Sequence, residues 1–177
     1  MTDTSRPLPS DAIQLDGFRM QPIQQSSLTA LADIWSDPEV TRFLPSQGKP
    51  VSRQNTEKAI ASFVDHWQSK HYGVWEVLDN KTGLMIGYCG LRYLEEIDDT
   101  EVLYGLAKDY WGKGIATQAV RAAIAYGFEQ AALGRIVALS FPENKASRRV
   151  MEKAGLRYEG RISVFGLEAV CYAIEQH

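Results

Sequence analysis

Residues 101–118, EVLYGLAKDYWGKGIATQ, constrain this chain more than any other stretch. Val102, Leu103, Tyr104 and Leu106 form a short apolar run that reads as a strand. A polar turn follows, and Gly112, Lys113 and Gly114 open a helix. Glycine lets a backbone take left-handed angles and approach a ligand closely, and the first N–H groups of a helix have no acceptor within it. A strand ending in such a loop is therefore an anion site, and the helix dipole favours a phosphate there.

Three phosphate loops can be compared with this one. A P-loop needs Gly, four residues, then Gly-Lys-Ser/Thr, and that spacing is absent. A dinucleotide fingerprint needs GxGxxG after the first strand of a βαβ unit. Gly112 and Gly114 fit, but Thr117 occupies the third glycine position, and the preceding strands read as hairpins. The third loop depends on what surrounds the motif.

The rest of the chain reads as one domain over residues 1–177, with 1–10 as a loose tail. Phe18, Met20 and Pro22 alternate with polar residues as a first strand. Ser26 or Ser27 is placed to cap a helix carrying Leu28, Leu31, Ile34 and Trp35, which stops before Pro38. Ala59, Ile60, Phe63, Val64 and Trp67 mark a second helix. The period then changes to two for a three-strand meander, 73–78, 84–94 and 101–106, with 95–100 (EEIDDT) as an acidic turn. Gly87 and Gly90 inside the second of these strands imply a bulge or a close approach. After the glycine loop come a helix with a small-residue stripe (Ala116, Ala119, Val120, Ala123, Gly127), a strand at 136–141, a short helix capped by Asn144, and strands at 156–164 and 167–174. That order predicts an α/β (α+β) fold with a mixed, mostly antiparallel sheet and helices on both faces.

Several function classes are disfavoured. A net charge of −3 argues against nucleic-acid binding by general attraction, and no run approaches the roughly 18 residues of a membrane span. No secretory signal opens the chain, so Cys89 and Cys171 read as buried free thiols of a cytoplasmic protein. His66, His71 and His177 have neither zinc-site spacing nor a hydrolase setting, so no metal is expected.

The loop 111–116 resembles motif A of the GNAT superfamily of N-acetyltransferases, Gln/Arg-x-x-Gly-x-Gly/Ala, with Trp111 in the Gln/Arg place. Asn144, Ser147, Val150, Lys153 and Gly155 are similar to motif B of the Rim-type branch of ribosomal-protein N-terminal acetyltransferases. Asp37-Pro38 to Leu44-Pro45 is similar to the segment after that branch's first helix. The resemblance runs from about residue 18 to residue 174. It implies a sheet splayed near its middle and acetyl-CoA as co-substrate. On this basis Leu106, Trp111, Gly112, Lys113, Gly114, Ile115, Ala116, Thr117 and Asn144 are assigned to acetyl-CoA, and Glu101 and Ser147 to catalysis.

Each assignment has a plainer reading. Lys113 is either a phosphate cation or a solvated lysine, and Asn144 a pantetheine contact as well as a helix cap. Ser147 is an acid toward the leaving thiolate or a hydroxyl bonded back to its helix. Glu101, at the head of its strand, is the base that takes the amine proton, unless a water chain serves. Tyr104 lines the acceptor groove or packs. The acceptor is a protein N-terminus or a small-molecule amine, and the lobe that receives it is expected from 34–50, 95–100 and 163–166. Direct transfer without an acyl-enzyme is expected; the alternative is a non-catalytic acyl-CoA-binding module of the same fold. Pairing of the last strands in a homodimer stays open.

Overall fold

The computed structural model describes residues 12–177; the expected tail, 1–10, lies outside the described residues. The chain runs β1 (Ile13–Gln14), β2 (Phe18–Pro22), a 3-10 turn (Gln25–Ser27), α1 (Leu28–Trp35), α2 (Pro38–Thr41), α3 (Arg53–Lys70), β3 (Val74–Asp79), β4 (Met85–Leu94) and β5 (Asp99–Leu106). A second 3-10 turn (Lys108–Tyr110) leads to α4 (Ile115–Glu129), β6 (Arg135–Ser140), α5 (Lys145–Lys153), β7 (Arg157–Val164) and β8 (Leu167–Glu175).

One eight-stranded sheet has the order β1-β2-β3-β4-β5-β6-β8-β7. Every neighbouring pair is antiparallel except β5 and β6, which are parallel and meet at one residue pair, Glu101 opposite Val137. Beyond that pair the strands share no ladder. The mostly antiparallel sheet is thus forked in its middle, and Glu101 stands at the fork.

Two cores cover the two faces. Ala119, Val120, Ala123 and Ile124 of α4, with Met151 of α5, pack on Val77, Leu91, Val102 and Ile136. On the other face Leu31, Ile34 and Trp35 of α1 and Ile60 and Phe63 of α3 pack on Val74 and Tyr88. The small-residue stripe of α4 brings that helix close to the sheet: a Cβ on Gly127 would stand 2.7 Å from Ile136 Cδ1. Trp67 donates from Nε1 to the Val74 carbonyl (2.7 Å) and meets Trp75 edge-on at 5.0 Å between ring centres.

Local signals were mostly obeyed, with three differences. Neither Ser26 nor Ser27 caps α1 by its side chain: Ser27 is itself in right-handed helical conformation, and its hydroxyl donates to Glu76 Oε2 at 2.7 Å. A buried carboxylate needs donors more than a surface helix end needs a cap, and Gln21 Nε2 supplies a second at 2.5 Å. β5 starts at Asp99, inside the expected acidic turn, because the β4–β5 ladder extends to the pair Leu94–Asp99; the Asp99 side chain accepts from Arg135 Nε on β6 (2.9 Å). β1 was not anticipated; two residues are too short for a period to register. The glycines of β4 serve both suggested purposes. A Cβ on Gly90 would lie 2.3 Å from Val74 Cα and one on Gly87 2.3 Å from the Gly105 carbonyl, and the register slips between Val77 and Leu78 opposite Gly87. Cys89 is buried as expected, whereas Cys171 is only partly so; both are free.

His66 ties α3 to the sheet. Its Nδ1 lies 2.8 Å from the Tyr72 carbonyl, and its Nε2 accepts from the Tyr93 N–H at 3.0 Å, so the ring is held neutral with the proton on Nδ1. Burial lowers its pKa, and Lys70 and Arg92 add to the effect, outweighing the Tyr72 bond. The unfolded ring takes up a proton near pH 6.5, where the folded one does not. The stability His66 contributes is therefore complete above that pH and is lost as pH falls below it. Melting temperature should fall more steeply between pH 7.5 and about 5.5 in the native chain than in His66→Gln. Parallel slopes would contradict this.

Candidate active site

The fork opens into a cavity of about 640 Å³. Its wall gathers Glu101, Leu106, Trp111, Gly112, Gly114, Ile115, Ala116, Thr117, Asn144 and Ser147 from β5, the glycine loop and α5. Lys113 is the one assigned residue outside the wall; its Nζ lies 5.2 Å from the centre of the Tyr110 ring.

The loop has the geometry its glycines require. Gly112 and Gly114 have φ of +72° and +78°, a region that disfavours L side chains, and nothing lies within 4 Å of where a Cβ would stand. The first helical bond of α4 runs from the Gln118 N–H to the Gly114 carbonyl (3.1 Å). The N–H groups of Ile115, Ala116 and Thr117 precede it and have no helical acceptor. Trp111 donates from Nε1 to the Leu106 carbonyl at 2.8 Å, with 45% of its surface exposed. The indole pins the loop to the end of β5, which is a structural use for Trp in the Gln/Arg place.

Glu101 is 6% exposed and sits directly across the β4–β5 ladder from Arg92. Arg92 donates to Oε1 through both Nε (2.9 Å) and Nη2, and no hydrogen bond among the described residues uses Oε2. Burial raises the carboxyl pKa above its ordinary value, and the Arg92 charge and its hydrogen bond pull it back. The result is a carboxylate held in a net-neutral pair by a residue of the cavity wall, with Oε2 left outside the Arg92 contact.

Asn144 caps α5, its Oδ1 accepting from the Ser147 N–H at 3.1 Å, while no hydrogen bond among the described residues uses its Nδ2. The Ser147 hydroxyl does not bond back to its helix; it meets Tyr104 Oη at 2.7 Å. Of the expected acceptor lobe, Glu39, Val40, Arg42 to Pro45 and residues of the β7–β8 turn line the cavity, and 95–100 do not. Those acids hold other elements: Glu96 accepts the Phe165 N–H (2.9 Å), Asp98 accepts from Tyr93 Oη (2.6 Å), and Asp99 takes Arg135. Phe165, held that way, is 61% exposed on the cavity lip. Arg92 was missed, though a signal existed. The hairpin turns about 96–97, and counting outward from it pairs residue 92 with residue 101. No group of three or more His, Cys, Asp or Glu side chains suited to a metal occurs among the described residues.

The acetyltransferase (GNAT) domain model matches residues 18–157. The chain belongs to the GNAT family. This GNAT chain is 34% identical over 150 residues to the YkkB protein of Bacillus subtilis strain 168, covering 81% of each. An acetyltransferase from Agrobacterium tumefaciens strain C58 superposes with a TM-score of 0.83 at 19% identity, covering 99% of this chain and 100% of that one. RimL, a ribosomal L7/L12 α-N-protein acetyltransferase solved with coenzyme A, has a TM-score of 0.76 at 17% identity, covering 96% of each chain. As a GNAT protein the chain is an acyltransferase, and its forked sheet is the fold of these neighbours. None of the described helices is long and apolar enough to cross a membrane.

Proposed function

We propose that this GNAT enzyme transfers the acetyl group of acetyl-CoA directly to a primary amine. The observation that carries the reading is one cavity holding open loop amides, a carboxylate with Oε2 outside its Arg92 contact and a serine hydroxyl. The loop suits a pyrophosphate: its N–H groups are unclaimed, and the space beside both glycines is open where any side chain would intrude. The coenzyme A bound by RimL supports the same donor here. Asn144 Nδ2 is available to the pantetheine arm.

The chemistry follows from the wall. Glu101 Oε2 accepts the amine proton as nitrogen attacks the thioester carbon. Backbone N–H groups of the forked strand face the oxyanion. The sulfur leaves as a thiolate, which a thiol pKa near 8.5 makes easy. Direct transfer is favoured because neither candidate nucleophile among the described residues is activated: Ser147 faces a phenol instead of a base, and burial pushes the Cys89 thiol up. The acceptor is a protein N-terminus, as in RimL, or a small-molecule amine, entering between the loop after α2 and the β7–β8 turn, whose walls include Val40, Phe43, Val164 and Phe165. Acetyl-CoA supply makes the cytoplasm its setting.

Titrating acetyl-CoA into ¹⁵N-labelled protein tests the donor half. The amides of Gly112, Gly114 to Thr117 and Asn144 should shift most, and shifts confined elsewhere would remove the loop assignment. A mass-spectrometric panel of N-terminal peptides, free amino acids and polyamines tests the acceptor half. Binding without any acetylated product would leave the non-catalytic module.

A further inference from the structure

β5 sends alternate side chains to opposite faces of the sheet. Leu103 packs with α1 and α3, and Val102 with α4, so Glu101 shares the first face and Tyr104 the second. Away from a fork, two such residues would serve different environments. Here both line the one cavity, because β6 leaves β5 and opens both sides of the strand to it.

Among the described residues the Tyr104 hydroxyl makes two hydrogen-bond contacts, both to Ser147. Its Oη donates to the Ser147 carbonyl at 3.0 Å and lies 2.7 Å from the Ser147 hydroxyl. A phenol has one proton, so two arrangements exist. With that proton on the carbonyl, Oη accepts from the Ser147 hydroxyl, whose proton is then spent inside the protein. With it on Ser147 Oγ, the Ser147 proton is released toward the cavity. The switch costs little, since the Ser147 carbonyl lies within α5 and has a helical N–H donor four residues on.

We propose that Tyr104 is a positioning residue for departure of the thiolate: its phenol holds Ser147 so that the serine proton faces the leaving sulfur. The inference rests on the acetyl-transfer reading above. Burial raises the phenol's pKa, so Tyr104 stays protonated and acts as a hydrogen-bond donor, not as a proton source. In the step itself the amine nitrogen forms the bond to the acetyl carbon, and the C–S bond breaks with its electron pair going to sulfur. The amine proton goes to Glu101. The thiolate leaves hydrogen-bonded to the intact Ser147 hydroxyl and is protonated later, in solution, by the proton Glu101 returns to water. Ser147 and Tyr104 end the cycle as they began it.

Tyr104→Phe keeps the ring and its packing and removes only the hydroxyl. It should lower kcat by about three- to tenfold, the range for one hydrogen bond of ordinary net strength, with KM for acetyl-CoA within about twofold. In a Ser147→Ala background it should cost nothing more. The loss should grow with the oxygen-ester analogue of acetyl-CoA, whose alkoxide needs the donor more than a thiolate does. The ratio of the two donors' rates, read in one protein sample, does not depend on how much of the variant is folded. An unchanged donor ratio, additive losses with Ser147→Ala, or an effect in KM alone would overturn the inference while leaving acetyl transfer standing. Wild-type turnover absent with every acceptor would overturn both.

Discussion

Glu101→Gln is expected to lower kcat/KM by about 10²- to 10³-fold, within the range for loss of a positioned general base. The substitution preserves shape, and the amide oxygen can still accept from Arg92, which reaches Oε1 in the native protein. Acetyl-CoA affinity should therefore hold. The pH profile separates this from a structural effect. Native kcat/KM should show an acid limb as Glu101 ionises, placed above the ordinary carboxylate value because burial raises it. The variant should lack that limb and keep only the rise due to the amine itself. Arg92→Gln removes a charge that lowers the Glu101 pKa, so the limb should move to higher pH. If Glu101→Gln stays close to native rates, a water chain and not this carboxylate takes the proton.

Gly114→Val should weaken acetyl-CoA binding by more than about tenfold. A left-handed φ of +78° costs an L residue about 1–2 kcal/mol, and a β-branched one more. The valine side chain would also occupy open space beside the loop amides. Gly83 provides the control: its φ is +71°, it too has nothing within 4 Å, and it lies outside the cavity wall, between β3 and β4. Gly83→Val should lower the melting temperature about as much and leave the affinity alone. Native affinity in Gly114→Val would refute the phosphate-loop assignment.

Much of this was written in the order of residues. The strand, two glycines and small-faced helix from 101 to 129 announced themselves by period and by turn chemistry, because each rule acts over a few residues. Asn144 was legible as a cap for the same reason. The fork was expected from the family resemblance alone, not from residue patterning: it is set by the single pair Glu101–Val137, between strands separated by a helix, and apolar patterning looks alike whether neighbouring strands stay paired or part. Ser27 shows a local signal overridden by a buried partner, since Glu76 lies far along the chain. Tyr104 could be read only as lining a groove or packing, because its partner Ser147 is 43 residues away, and only the fold brings the hydroxyls to 2.7 Å. Trp111, which departs from the family motif, became intelligible once its indole was found on the Leu106 carbonyl.

The central claim is that one cavity moves an acetyl group from a thioester to an amine. Its most direct test counts thiol released and N-acetyl product formed in the same reaction, with and without the amine. The account predicts that both appear in equal amounts and only when the amine is present. Thiol released without an acetylated amine, or neither product with any acceptor, would contradict it.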